Sequence, residues 1–170
     1  GDCVKSGYLW RRMSDPTNDI EEGKWGQFSW PYYRLAEIYL DYAEACNEKP
    51  NREETEALTY VNLVRRRSGL NDLEVAYPEV VGNQDLLREL IRKERMVELA
   101  FEGHRYHDLR TWMLAEKEMN GPNFTRNLTS TSYEGSWSRT ASIFPGNRVF
   151  QPRHYFFPIH QEQLSEMRNI

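Results

Sequence analysis

Apolar side chains recur at helical spacing in three segments of the 170-residue chain. The clearest segment lies between Leu86 and Trp112, where apolar residues fall near the i, i+3, i+4 and i+7 positions of one helical stripe. The pattern predicts a helix from about Gln84 to Glu102, capped by Asn83 or Asp85. Gly103 marks its end or a kink, because glycine costs a helix interior about 1 kcal/mol relative to alanine. The residues of the stripe are Leu87, Leu90, Ile91, Val97 and Phe101.

Two more helices are predicted upstream, from about Tyr32 to Asn47 and from about Arg52 to Ser68. Pro31 suits the first turn of the first helix, Asn51 and Glu54 have the spacing of a capping box for the second, and Gly69 suits the position after its last turn. Because the connection is short, the two helices are expected to be antiparallel, as in a helical hairpin of tetratricopeptide type. The inward positions are Leu35, Ile38, Tyr39, Tyr42 and Cys46 in the first helix and Ala57, Leu58, Val61 and Val64 in the second.

The rest of the chain predicts one more helix and a long loop. The fourth helix runs from Tyr106 to about Lys117 and directs Leu109, Trp112 and Met113 to the core. Residues 118–153 are rich in Asn, Ser, Thr and Gly and have no helical period, so we expect an ordered loop with short strands. In the connector after the second helix, apolar positions alternate at Leu73, Val75 and Tyr77, which are expected to pack across the hairpin. The segment Tyr155 to Ile159 predicts a short strand.

These elements predict a mainly α fold of helical hairpins with a long irregular loop and short extended segments near the carboxy terminus. We expect one domain over residues 1–170, with an extended lead-in at 1–31, a helical region at 32–117 and a loop-rich region at 118–170. The hydrophobic content of 39% and the charged content of 28% are those of a soluble globular protein. In addition, no apolar run approaches the roughly 20 residues that a membrane span needs.

The net charge bears on nucleic-acid binding, and the two cysteines raise the question of a disulfide. The net charge of −4 argues against nucleic-acid binding, so we interpret Arg65, Arg66 and Arg67 as cations favoured at a helix carboxy terminus. Cys46 is expected to be a small buried side chain, and whether it pairs with Cys3 is left open.

Glu94, Glu98 and Glu102 are each four residues apart on the predicted third helix. Like charges at this spacing repel by roughly 0.2–0.5 kcal/mol per pair, so the three carboxylates need cationic partners. Such partners can come from the same segment or from the basic run of another helix. Nearby in the sequence are Arg95, Arg105 and Arg110, and the basic run is Arg65, Arg66 and Arg67. We therefore predict an ion-pair network within the fold.

The segment that follows contains metal-ligand residue types, namely His104, His107 and Asp108 close to Glu98 and Glu102. Their spacing lacks the HExxH pattern of helical zinc sites, so we expect no metal and no cofactor. The alternative interpretation is that Glu102, Arg105 and Asp108 form charge-assisted hydrogen bonds that hold the corner between two helices. A metal-dependent hydrolase is the less favoured functional alternative.

Four sequence motifs resemble one known family. ERMVELAFEGHRYHDLRTW, preceded by YYRLAEIYLDYAEACNE and VNLVRRRSGL and followed by YFFPI, is similar to the carboxy-terminal region of the SusD/RagB family. The resemblance spans about Ser6 to Ile159, with His160 in place of a second proline. It implies a fragment of the family's helical superhelix, in which Glu94, Arg95, Glu98, Glu102, Arg105 and Asp108 are scaffold residues.

The resemblance also implies a function. Members of the family are outer-membrane nutrient-binding lipoproteins of Bacteroidetes that act with a TonB-dependent, SusC-like transporter. We therefore expect non-catalytic binding of an oligosaccharide or other nutrient at the cell surface, with a lipid anchor on a segment upstream of this chain. The helix pairs alone equally suit a helical-repeat module that binds another protein.

The best local candidates for touching a sugar lie in the long loop. Tyr133 and Trp137 offer flat rings for the C–H faces of a sugar, and Asn127 and Arg139 offer hydrogen bonds to its hydroxyls. The alternative is that the two rings only anchor the loop, because a long ordered loop needs internal packing.

Overall fold

The computed structural model describes residues 15–19, 21–26, 31–127, 129–141, 147–161 and 163–164. The chain forms two compact units, of which the first is Arg12–Arg105 and the second contains Tyr106–Ile170. We call them the helical unit and the carboxy-terminal unit. The described part is mainly helical, as predicted, whereas the assignment of residues 1–170 to a single domain stays a prediction.

Three long helices build the helical unit: α1 (Leu35–Glu48), α2 (Glu54–Arg67) and α4 (Gln84–Glu98). The chain forms the predicted hairpin. Cys46 lies near Glu53 at the turn, and the Tyr42 ring packs against Tyr60, which is farther from the turn on the other helix. Helices α1 and α2 are therefore antiparallel. The contacts of α4 with α1 also follow opposite chain directions, so α4 is parallel to α2.

Helix α1 buries a different face from the predicted one. Its buried positions are Glu37, Leu40, Ala43, Cys46 and Asn47, and three predicted inward residues, Leu35, Ile38 and Tyr42, are exposed. The apolar residues of this helix fit two overlapping stripes, and packing against both α2 and α4 selects the one that holds the small residues Ala43 and Cys46. Helix α1 also begins three residues later than predicted, which leaves Pro31 outside its first turn.

Helix α2 follows the prediction on its buried face and at its end. Ala57, Val61 and Val64 are buried. After its last residue, Gly69 adopts a φ of +73°, and the N–H groups of Gly69 and Leu70 donate to the carbonyls of Arg66 and Arg65. This is a Schellman motif, which needs a left-handed residue and therefore favours glycine. The predicted capping box is wrong, because the cap position is Glu53 and no side chain caps the first turn.

The connector between α2 and α4 contains a helical turn, α3 (Leu73–Ala76), and a 3-10 turn at Pro78–Val80. Asn62 of α2 decides this, since its Oδ1 accepts the Leu73 N–H at 2.8 Å and its Nδ2 donates to Glu74 at 2.8 Å. Leu73 is thereby buried in the core while Val75 is exposed.

Replacing Asn62 with alanine is expected to lower the free energy of unfolding by about 1–3 kcal/mol, because the buried Leu73 N–H would lose its acceptor. Urea unfolding followed by circular dichroism measures this change. The control is Thr59→Ala on the same helix, which removes only an exposed bond to the Thr55 carbonyl and should stay within about 0.5 kcal/mol of the parent. Equal stability of the two variants would contradict the role assigned to Asn62.

Helix α4 ends at Glu98, four residues before the predicted end. Its start is as predicted, since Asn83 Oδ1 accepts the Leu86 N–H. Beyond Leu99 the chain turns back, with Phe101 at φ +67° and Gly103 at φ +88°. The predicted apolar stripe is therefore half right: its first three residues are buried, but Val97 and Phe101 are exposed.

The carboxy-terminal unit contains most of α5 (His104–Thr111), with α6 (Ala115–Met119), β1 (Phe124–Arg126), α7 (Tyr133–Ser136) and β2 (Arg139–Ala141). The predicted fourth helix is thus broken into α5 and α6, and Met113 between them is exposed at φ +56° instead of facing the core. A small apolar cluster forms around buried Leu109, Ala115 and Phe150.

The predicted long loop does contain short strands. β1 and β2 pair antiparallel with Thr125 opposite Thr140. The predicted strand at Tyr155 to Ile159 is wrong, because a 3-10 turn at Pro152–Tyr155 is followed by irregular chain there. The Asn120 side chain donates to the Phe150 carbonyl and accepts from the Phe150 N–H, so it substitutes for a strand partner.

No helix in the described ranges is long and apolar enough to cross a membrane. Cys46 is a buried free cysteine, and Cys3 lies outside the residues described, as does most of the lead-in.

Candidate functional site

A ladder of ion pairs joins α1 to α4 along their length. Asp41 pairs with Arg95. Glu44 lies 3.9 Å from Arg92, and Glu48 lies 2.6 Å from Arg88. Arg88 holds the pKa of Glu48 below its usual range, chiefly through the hydrogen bond it donates. The predicted network therefore extends to acidic residues of the first helix.

Helix α2 supplies the partners of the glutamates on α4. Arg65 Nη1 donates to Glu94 at 2.8 Å, and Arg67 Nη2 donates to Glu98 at 2.6 Å. The basic run at the end of α2 is thus engaged in tertiary contacts with carboxylates. Its charges therefore serve the packing of the helices.

Arg34, just before α1, binds the end of α4 with its whole guanidinium group. It donates to both oxygens of Glu102 at 2.8 Å, to the Glu98 carboxylate at 2.8 Å and to the Glu98 carbonyl at 3.0 Å. The hydrogen bond to Glu102 is the largest cause that raises the Arg34 pKa. Arg34 thereby satisfies the Glu98 carbonyl, which has no helical partner because the Glu102 N–H donates to the Leu99 carbonyl.

The histidines predicted as alternative metal ligands have different neighbours. His104 Nδ1 lies 3.5 Å from Glu37 Oε1, and the His107 ring packs edge-to-face on Tyr106. Within the part of the chain that the structure describes, no three His, Cys, Asp or Glu side chains are grouped to hold a metal ion. The corner role of Arg105 and Asp108 stays a prediction.

An aromatic corner forms where the long loop makes one helical turn. This turn is α7, and Ser132 Oγ caps it by accepting the Gly135 N–H at 3.0 Å. Tyr133 and Trp137 are four residues apart and therefore lie on the same side of the turn. Their rings meet edge-to-face, with centroids 5.8 Å apart and planes at 79°. Tyr133 is 72% exposed and Trp137 is 49% exposed, so both rings face solvent.

Arg126 of β1 closes one side of this corner. Its guanidinium carbon lies 4.0 Å from the centre of the Trp137 ring, a cation–π distance, and its Nη2 donates to Ser136 Oγ at 2.6 Å. One face of Trp137 is therefore covered by the protein. Tyr133 carries the larger exposed surface, so it is the better platform for a flat ligand.

Asn127 and Arg139, the polar residues predicted to bind a sugar beside the rings, lie in different local structures. Asn127 Oδ1 accepts the N–H and hydroxyl of Thr129 at 3.1 and 2.8 Å, which shapes the turn leading to α7. Arg139 lies opposite Arg126 in the β1–β2 register, and its side chain lies outside the described part. The ligand-binding roles of all four loop residues stay predictions.

Comparison with known proteins decides the family. The model of the SusD family matches residues 2–170. The chain belongs to the SusD family. Its resemblance to SusD/RagB proteins is thereby confirmed over nearly its full length.

Individual SusD relatives agree with this assignment. The SusD-like protein P2 of Formosa agariphila is 40% identical over 93 residues, which are 53% of this chain and 18% of that protein. A SusD-like protein of Bacteroides ovatus is 29% identical over 134 residues, covering 69% of this chain and 23% of the relative. The crystal structure of a SusD-like protein from Bacteroides fragilis NCTC 9343 matches with a TM-score of 0.67 at 31% identity, covering 82% of this chain and 24% of that one. The chain thus spans about a quarter or less of these SusD-like proteins.

The roles of two residues in this SusD-family chain were not predicted from its sequence, and only one of these roles could have been. Arg34 stands at the start of a helix, where the macrodipole disfavours a cation, so a compensating acidic partner could have been inferred. Arg126 stands in a polar loop with no local pattern around it. Its contact with Trp137 depends on the pairing of β1 and β2, which connects segments more than ten residues apart.

Proposed function

We propose that this chain is part of a surface-bound, non-catalytic receptor. The receptor binds an oligosaccharide nutrient and passes it to a TonB-dependent, SusC-like transporter in the outer membrane. The observation that carries this proposal is the family match over residues 2–170. A lipid anchor on an upstream segment would hold the receptor at the membrane.

Within this chain, the aromatic corner of Tyr133, Trp137 and Arg126 is our candidate for contact with the sugar. An exposed ring offers a flat apolar surface to the C–H face of a pyranose. The Arg126 guanidinium holds Trp137 in place, and the capped turn fixes Tyr133 relative to it. Such a preformed corner reduces the entropy that ligand binding would otherwise cost.

The test is a glycan-array screen of the purified protein, followed by calorimetry on the glycan that binds. Tyr133→Ala is expected to weaken binding about tenfold, which corresponds to about 1.4 kcal/mol. Trp137→Ala should weaken it by a similar or smaller factor, because one face of that ring already contacts Arg126.

Trp25→Ala is the matched control, since Trp25 is 71% exposed but lies in the helical unit. Its affinity should equal that of the parent. Unchanged affinity in both loop variants would reassign the two rings to loop packing, and binding of peptides instead of glycans would replace the proposed ligand class.

The transporter proposal has a separate test. The native protein should appear in the outer-membrane fraction and co-purify with a TonB-dependent transporter after mild detergent extraction. Recovery of the protein in the cytoplasmic fraction would contradict the proposal.

A further inference from the structure

A groove of about 280 Å³ opens on the carboxy-terminal unit, apart from the aromatic corner in sequence. It is lined by His107, Arg110, Thr111, Tyr155 and Phe157. Its volume lies just below the range of about 300–1,000 Å³ that ligand pockets span, so it suits no more than one ring-sized unit. None of the four loop residues predicted to touch a sugar contributes to its lining, whereas His107, a candidate metal ligand in the sequence, does.

Arg110 is the charged centre of the groove. Its Nη2 donates to the Tyr155 carbonyl, and its guanidinium carbon lies 4.2 Å from the centre of the Phe157 ring and 5.2 Å from that of Tyr106. The guanidinium therefore lies within cation–π distance of two aromatic rings. Its Nε is buried and has no acceptor among the residues that the structure describes. A buried cationic donor without an acceptor is unfavourable, and an anion beside the guanidinium would offset that cost.

The remaining walls supply contacts of two kinds. Thr111 and His107 are exposed polar side chains one turn apart on α5, on the rim of the groove. Phe157 is 70% exposed although the guanidinium lies against its ring, so apolar surface remains open to a ligand. Among the described lining residues none is acidic, which makes the groove electrostatically favourable for a negative charge.

We infer that this groove binds an acidic saccharide unit, that is, a pyranose ring bearing a carboxylate or sulfate. The anionic group would accept hydrogen bonds from Arg110 and the Thr111 hydroxyl, and the C–H face of the ring would lie on Phe157. The inference rests on the proposed function, because it names the class of sugar that a second site on the same receptor selects.

The test is an NMR titration of the isotopically labelled protein with three probes: D-glucuronate, glucose 6-sulfate and neutral D-glucose. Glucuronate or glucose 6-sulfate should shift the resonances of Thr111 and His107 with a Kd at least fivefold lower than that of glucose. Comparing the two anions shows whether the groove prefers a carboxylate or a sulfate.

Two variants make the result specific. Arg110→Gln should abolish the preference for the acidic sugars, and Thr111→Val, which changes only an exposed hydroxyl, should weaken acidic binding about threefold without loss of folding. Equal affinities for all three probes, or unchanged acidic binding in both variants, would overturn the inference.

These experiments distinguish a wrong assignment of the groove from a wrong proposed function. If glycans found on the array still bind and depend on Tyr133 while no probe shifts Thr111, the groove assignment is wrong and the receptor function stands. If no glycan binds the protein at either place, both are wrong.

Discussion

Replacing Arg34 with alanine is expected to lower the free energy of unfolding by about 3 kcal/mol. Removing one partner of a buried ion pair typically costs about 3–5 kcal/mol, because the remaining charge is left buried without compensation. The side chains of Glu98 and Glu102 are each only 7% exposed, and Arg34 serves both. We take the lower end of the range because Arg34 itself is 24% exposed and Arg67 still pairs with Glu98.

Urea unfolding of two further variants tests the explanation. Arg34→Lys keeps the charge but loses the planar fork that reaches both glutamates, so it should recover only part of the stability. Arg66→Ala is the matched control, since Arg66 pairs with Asp72 on the surface and is expected to contribute at most about 1 kcal/mol. If Arg34→Ala is no more destabilising than Arg66→Ala, the contact at the end of α4 is not a stabilising one.

The second large effect is expected for Leu87→Ala, which should cost about 2–5 kcal/mol. Leu87 is fully buried in the core that α1, α2 and α4 share. Truncation removes apolar contacts and leaves a cavity that the three helices cannot fill without moving apart.

Val97→Ala on the same helix provides the comparison, because Val97 belongs to the same predicted apolar stripe but is 67% exposed. Its unfolding free energy should stay within about 0.5 kcal/mol of the parent. Comparable losses in both variants would mean that the end of α4 is buried in the folded protein, contrary to the structure.

The contrast between Leu87 and Val97 shows where sequence reasoning stops. Local preferences were enough to locate α1, α2 and α4, to pair α1 with α2 and to end α2 at Gly69, because the turn and the Schellman motif depend on neighbouring residues. The residues that α1 buries did not follow, since its apolar residues fit two overlapping stripes and only packing against neighbouring helices decides between them.

The candidate site divides in the same way. Tyr133 and Trp137 could be paired from the sequence, because residues four apart on a helical turn share a side. That one face of Trp137 is covered by Arg126 depends on a strand pairing. The groove around Arg110 depends on the chain returning from Pro152–Tyr155 toward α5, and no spacing in the sequence predicts that return.

Helix periodicity, capping residues and the family motifs were therefore sufficient for the fold class, the hairpin and the family. Tertiary structure alone decided where α4 ends, which arginines neutralise Glu94, Glu98 and Glu102, and which rings stay exposed. The physical reason is that a helix end and an ion pair are chosen by competition among distant groups. Arg34 binds the Glu98 carbonyl at the end of α4, and this contact exists only once α1 and α4 are packed together.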